Sequence, residues 1–184
     1  MATLPIASRL VSVEEYLSHC YEPDCEYDDG LIVERNLGEY DHSFLQILIG
    51  TIFTVNMEAW GVYGLTGQRI CIAPRKYRIP DLCVLRFDAL AEDILTQPPL
   101  IAIEILSSAD RISRVERKAI EFRIFGVPEV WIIDSRKRAV YRTAADGLKL
   151  VEDGELSVPG TPILLRTGEL FAKLDRMRAR SRRV

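Results

Sequence analysis

Little in this chain of 184 residues commits it to a membrane, a disulfide framework or a ready-made cofactor motif. Its four cysteines, Cys20, Cys25, Cys71 and Cys83, include no C-x-x-C pair. With only two histidines, His19 and His42, they match no zinc-finger spacing. Cys71 and Cys83 sit in apolar strand patterns and read as small core residues, and free thiols fit a reducing compartment. No segment approaches the roughly 20 consecutive apolar residues that span a bilayer. The opening MATLPIASRLVSVEEY has no signal core either, so a soluble, cytoplasmic protein with no membrane partner is expected. Positive charge is not in excess: the formal net charge of -3 excludes a surface that grips nucleic acid all over, though not a local patch. Repeats, low-complexity stretches and linkers are absent. With 48% hydrophobic residues, residues 1–184 read as one domain with its core at about 11–175. In and around the basic tail at 176–184, Lys173, Arg176, Arg178, Arg180, Arg182 and Arg183 face only Asp175. That tail reads either as a solvated end or as a phosphate contact.

What is present is a succession of short, well-punctuated elements. Ser12 to Glu15 is a capping box, which predicts a helix through Leu17. In CEYDDGLIVER, Asp29-Gly30 predicts a tight hairpin turn, with Glu26 on the incoming arm as a solvated residue on local grounds. A helix follows over about 41–59 with Leu45, Leu48, Ile49, Ile52 and Phe53 as its apolar stripe; His42 in its first turn is expected to cap or to touch the hairpin. Gly61, Gly64 and Gly67 mark a loop, then 69–73 and 77–85 read as strands around Pro74. A short helix near 90–95 is stopped by Pro98-Pro99. Strands at 100–106 and 130–134 flank a helix, which predicts a parallel β-α-β unit. A hairpin over 139–142 and 148–152 across Asp146-Gly147, an edge strand at 155–158 and a final helix from Thr167 complete the chain. The fold expected is α/β, a mixed sheet with helices on both faces.

Two of these strands carry an acid where none belongs. The run Leu100 to Leu106 is apolar like a strand buried on both faces, yet holds Glu104; the run Tyr77 to Leu85 holds Asp81. Burying an unpaired carboxylate costs several kcal/mol or more, so each must be paired, protonated, metal-bound or facing a cleft. The helix that follows supplies the opposite charge. Ser113 to Glu116 is a second capping box, Gly126 a C-terminal stop, and Val115, Ala119, Phe122 and Phe125 the core stripe. Lys118 falls inside that stripe, three residues after Val115 and four before Phe122, and is thereby aimed at the sheet. Asp81, Glu104 and Lys118 are expected to converge.

Two carboxylates and an ammonium group suit phosphodiester hydrolysis. Mg²⁺ takes oxygen ligands, keeps several waters and needs only one or two protein carboxylates. Lys118 would orient the attacking water or stabilise the pentavalent charge, and could accept a proton if burial lowered its pKa. The bland alternative is a buried Glu104–Lys118 ion pair with Asp81 solvated at a strand end.

The segments IPD around Asp81, AIEILS around Glu104, the Lys118 helix and GVPEVWIID at 126–134, with VSVEEYL and CEYDDGLIVER before His42, occur in an order and spacing that resemble the PD-(D/E)XK nuclease superfamily. Within it they resemble the restriction-endonuclease-like Uma-two family, from Val11 to about Arg142. The resemblance implies a restriction-endonuclease-like α/β core and an endonuclease acting on DNA. It also implies Mg²⁺ or Mn²⁺ held by Asp81 and Glu104, with Glu26 as a third acid beside them. A homodimer is expected because a duplex offers two strands. One position departs from the superfamily pattern: the lysine usually two residues after the second acid is here Leu106, and Lys118 would be its migrated replacement. A competing reading is a catalytically silent nuclease-like fold serving as a dimeric binding or assembly module, motivated by Ile120 and Ile124 on the outer face of the Lys118 helix.

Overall fold

The computed structural model describes residues 10–36, 38–108, 110–144 and 147–181. Helix α1 (Val13–Ser18) starts on the predicted cap, the Ser12 hydroxyl accepting from the Glu15 amide at 3.1 Å. It buries Tyr16 against Tyr27 and Tyr77, and the Tyr16 hydroxyl donates to the Cys25 carbonyl. Strands β1 (Cys25–Asp28) and β2 (Leu31–Glu34) form the expected hairpin. Asp29 and Gly30 both take positive φ, +47° and +96°, as a two-residue turn matched to strand twist requires.

The single helix expected at 41–59 is two: α2 (Tyr40–Val55) and a one-turn α3 (Met57–Trp60). The side chain of Asn56 donates to the Ile52 carbonyl at the junction, competing with the helix's own ladder. A strand that the glycines disguise, β3 (Val62–Thr66), follows. The run at 77–85 also divides. β4 (Ile70–Ala73) and β5 (Lys76–Arg78) join β1 and β2 in one sheet, ordered β2-β1-β5-β4, while β6 (Leu82–Arg86) enters another. Pro80, which has no amide to donate, stands at the crossing. Residues 90–95 form no helix: the amide of Leu95 donates to Arg69 and its carbonyl accepts from Cys71, so tertiary pairing overrides local preference.

Among the described residues the main sheet runs from β10 (Gly147–Leu150) through β9 (Ala139–Ala144), β8 (Glu129–Asp134), β7 (Ile101–Leu106) and β6 to β3. β7 (Ile101–Leu106) runs parallel to β8 (Glu129–Asp134) and antiparallel to β6. The crossover is α4 (Ile112–Phe125), closed by Gly126 at φ +108°. This helix begins earlier than its capping box predicts: Arg111 is the N-cap, and the Arg114 amide bonds the Arg111 carbonyl. β9 (Ala139–Ala144) and β10 (Gly147–Leu150) pair as expected; Asp146 of their turn lies outside the described residues. β11 (Glu155–Ser157) does not edge the main sheet but pairs with β12 (Leu164–Arg166). Helix α5 (Thr167–Ser181) buries Leu170, Phe171 and Leu174; of the tail, Arg182 and Arg183 lie outside the described residues.

The sheet thus carries helices on both faces. α2 and α5 cover one side over Ile101, Ile103, Ile105 and Trp131. α4 covers the other over Ala102, Leu106 and Ile132, with Val115, Ala119 and Phe122 turned inward. Strand alternation therefore places Glu104 on the α4 side, between Ala102 and Leu106. No described helix is long and apolar enough to cross a membrane.

Candidate active site

Asp81, Glu104 and Lys118 line one cleft of about 270 Å³, together with Glu26. Each arrives by a separate route. Glu104 projects from β7 towards α4, and Lys118 descends from α4 to meet it. Asp81 occupies the bend after Pro80, immediately before β6, and not a strand position. Glu26 comes from β1 and is buried, so its local reading as a solvated hairpin residue does not hold. The second sheet folds that arm over the cleft, an arrangement no local pattern contains.

The Lys118 ammonium is within 2.8 Å of three oxygens. It donates to the Ile79 carbonyl at 2.8 Å and lies 2.6 Å from Glu26 Oε1 and 2.8 Å from Glu104 Oε1. The Glu104 contact is off the hydrogen-bond direction, leaving that buried oxygen without an aligned donor among the described residues. Glu26 Oε1 also accepts from the Ile79 amide at 3.0 Å. Asp81 is more fully satisfied. Its Oδ1 accepts from Arg35 Nη2 at 2.7 Å; Oδ2 accepts from the Ile105 amide at 2.8 Å and lies 3.1 Å from His42 Nε2. Gln46, one turn after His42 on α2, donates to the Asp81 carbonyl. His42, expected to cap the helix or touch the hairpin, thus reaches the site acid.

The electrostatics separate the two acids. Burial raises the Asp81 pKa, but His42, Lys118 and the Ile105 amide outweigh it and hold the carboxyl below its ordinary value. Glu104 goes the other way, pushed up to about 8 chiefly by burial, with Asp81 and Glu26 adding to the rise against the pull of Lys118. Burial would lower Lys118, yet Glu104, Glu26 and Asp81 raise it above the usual lysine value. The ammonium thus stays charged at neutral pH, and proton acceptance, conditional on a lowered pKa, does not apply.

Three acids, Glu26, Asp81 and Glu104, gather around the Lys118 ammonium, and Arg35, Arg78, Arg114 and Arg117 also line the cleft. No group of three His, Cys, Asp or Glu side chains stands ready as a complete metal cage among the described residues. Two buried carboxylates, one with an undirected oxygen and a proton held chiefly by burial, nevertheless fit a hard divalent cation that takes its remaining ligands from water and phosphate.

The sequence pattern missed Arg35, Arg78 and the arginines of α4. Arg78 is 5% exposed, lines the same cleft, and binds Glu121 and Asp28 while lying 3.9 Å from Glu26. A charged residue in the apolar run at 77–85 was the same anomaly that marked Asp81. Arg35 carried no such signal, because it ends a solvent-facing hairpin arm.

A family model, Uma2, described as "Putative restriction endonuclease", matches residues 13–166, from the start of α1 to the end of β12. A crystal structure described as that of a putative nuclease belonging to DUF820, from Anabaena variabilis, superposes with a TM-score of 0.75 at 20% identity. The match covers 88% of this chain and 98% of that one, and the likeness is one of fold. No curated protein matches the chain.

Proposed function

Because this chain belongs to the Uma2 family, described as "Putative restriction endonuclease", we propose that it is a divalent-metal-dependent endonuclease hydrolysing phosphodiester bonds in DNA. The observation that carries the reading is the convergence of Asp81, Glu104 and Lys118 in one cleft edged by Arg35, Arg114 and Arg117. Asp81 and Glu104 would hold Mg²⁺ or Mn²⁺. When bound, that cation supplies Lewis acidity at the scissile phosphorus and acidity to the attacking water.

The remaining work falls to the chain's own groups. Lys118, kept protonated by its carboxylate neighbours, places positive charge where the pentavalent phosphorane gathers negative charge. Water's oxygen forms the new bond to phosphorus and gives up a proton to bulk solvent, the bond to the leaving oxygen breaks, and that oxygen takes a proton back from solvent. His42 and the Ile105 amide fix the Asp81 carboxylate in one orientation. Glu26 was expected as a third metal-binding acid. Its Oε1 is engaged by Lys118 and the Ile79 amide, which supports instead a positioning role, anchoring the ammonium. The cations at the cleft edge fit a phosphate backbone and read no bases.

The test is cleavage of plasmid DNA with Mg²⁺ or Mn²⁺ by the wild type and by Asp81→Ala, Glu104→Ala and Lys118→Ala. Loss in all three with the fold intact supports the proposal; equal cleavage by all four proteins removes it. The competing module reading draws on Ile124, 81% exposed, and Ile120, 39% exposed. Either reading is compatible with the homodimer proposed here, so sedimentation tests the dimer and only metal binding separates the functions.

A further inference from the structure

The cleft has acid at its floor and arginine at its mouth, and one residue bridges the two. Arg35 follows the last residue of β2 and puts a single donor, Nη2, on Asp81 Oδ1. Among the described residues that is its one polar contact, and a guanidinium has five N–H donors in a planar fork. The unused donors belong to a side chain that is 21% exposed at the cleft mouth. Nearby Arg117 has no partner among the described residues, and Arg114 donates only to the Glu34 carbonyl.

The other partners of Asp81 cannot yield in the same way. The Ile105 amide belongs to the central strand β7, and His42 is buried in the first turn of α2. Oδ2 is held by those two groups, so Oδ1 is the oxygen that could become available to a ligand. A divalent cation taking Oδ1 would meet the guanidinium charge at close range, across a poorly screened cleft. Arg35 must then leave. A phosphate diester offers it a better-matched partner, because a guanidinium fork binds phosphate oxygens in pairs and Asp81 receives only one of its donors.

We propose that Arg35 is a phosphate-binding residue of this site which blocks Asp81 in the free protein, and that a nucleic-acid phosphate draws it away and so opens Asp81 to the metal. This rests on the metal-dependent nuclease reading above. Metal and phosphate then bind cooperatively and reciprocally, and the free protein holds its cation weakly. Such a device keeps the nuclease unloaded until a strand is in the cleft.

The experiment is calorimetric titration of Mn²⁺ into the full chain, with and without thymidine 3′,5′-bisphosphate, which offers phosphates but no diester to cut. Wild type, Arg35→Ala and Asp81→Asn are compared, with circular dichroism to check each fold. The bisphosphate should tighten Mn²⁺ binding to wild type by at least about fivefold, the lower end of ordinary coupling. Arg35→Ala should bind Mn²⁺ more tightly than wild type without the probe and lose most of the probe's effect. Should Arg35→Ala fail to fold, Arg35→Lys, which keeps the charge but not the fork, should show a reduced probe effect. If the Arg35 variants titrate like wild type while Asp81→Asn loses Mn²⁺, the blocking role is overturned and the metal site stands. If no protein binds Mn²⁺ with or without the probe, or Asp81→Asn binds as wild type does, both readings fall together.

Discussion

Two clusters of buried charge lie side by side under α4, and they are built to opposite ends. In the outer one, Arg78 and Lys76 meet Asp28 and Glu121, two cations for two anions, with N to O separations of 2.6 Å for Arg78–Asp28 and 2.9 Å for Lys76–Glu121. Burial pushes the carboxyls of Asp28 and Glu121 up, but hydrogen bonds from Arg78 and Lys76 outweigh it and both sit below their ordinary values. In the inner cluster Glu26, Asp81 and Glu104 surround Lys118, with Arg35 and His42 on Asp81 and Arg78 3.9 Å from Glu26, and burial leaves Glu104 with a pKa near 8. A balanced cluster ties elements together: this one links β1, β5 and α4. The inner cluster instead buries a carboxyl that its surroundings hold from ionising, a standing cost to the fold of the kind found at functional sites.

Breaking each cluster should therefore damage different properties. The largest effect is expected on cleavage. Glu104→Gln should lower the rate of DNA cutting in Mn²⁺ by at least about 100-fold, the scale of losing one electrostatic contributor to a transition state. The same variant should melt no lower than wild type, since it removes a buried acid that folding disfavours ionising. Arg78→Met should do the reverse to stability. With its partners Asp28 and Glu121 left without their main cation, urea unfolding should show a loss of about 3 kcal/mol.

The pH dependence of unfolding sharpens the contrast. Glu104 ionises near 4.5 in the unfolded chain and near 8 in the native site, so between these values the native state holds the extra proton. Stability then falls as pH rises through that window and levels off above it. Urea midpoints of wild type and Glu104→Gln measured from pH 5 to 8 should converge at the acid end and diverge, with the variant the more stable, at the alkaline end. Parallel curves would mean that the inner cluster is not under the strain described. The smallest effect is expected at Lys76, whose side chain is 29% exposed. Solvent already screens its pairs, so Lys76→Met should cost no more than about 1 kcal/mol in the same unfolding assay.

The residues alone led a long way towards this site because its two key anomalies are local. Glu104 breaks an apolar strand and Lys118 breaks an apolar helical stripe, and periods of two and about 3.6 residues then decide which way each side chain points. The resemblance in motif order reached the family that the match over residues 13–166 establishes. Periodicity was a poor guide where it was masked or shared. The glycines around β3 hid a strand, and the run at 77–85 looked continuous although Pro80 divides it between two sheets. The helix expected near 90–95 gave way to pairing with Arg69 and Cys71.

By itself, then, the sequence determined the alternation of elements, the faces they bury and the meeting of Glu104 with Lys118, because those follow from short-range geometry and from the high price of burying a lone charge. Only the tertiary structure decided that β1 folds across the cleft to bury Glu26, that His42 and Arg35 both turn to Asp81, and that Arg78 gathers Asp28 and Glu121 at the edge of the same site. Those partners lie far apart in the chain. Which of several equally polar residues meets a buried acid is set by how two sheets pack, and no local period records that.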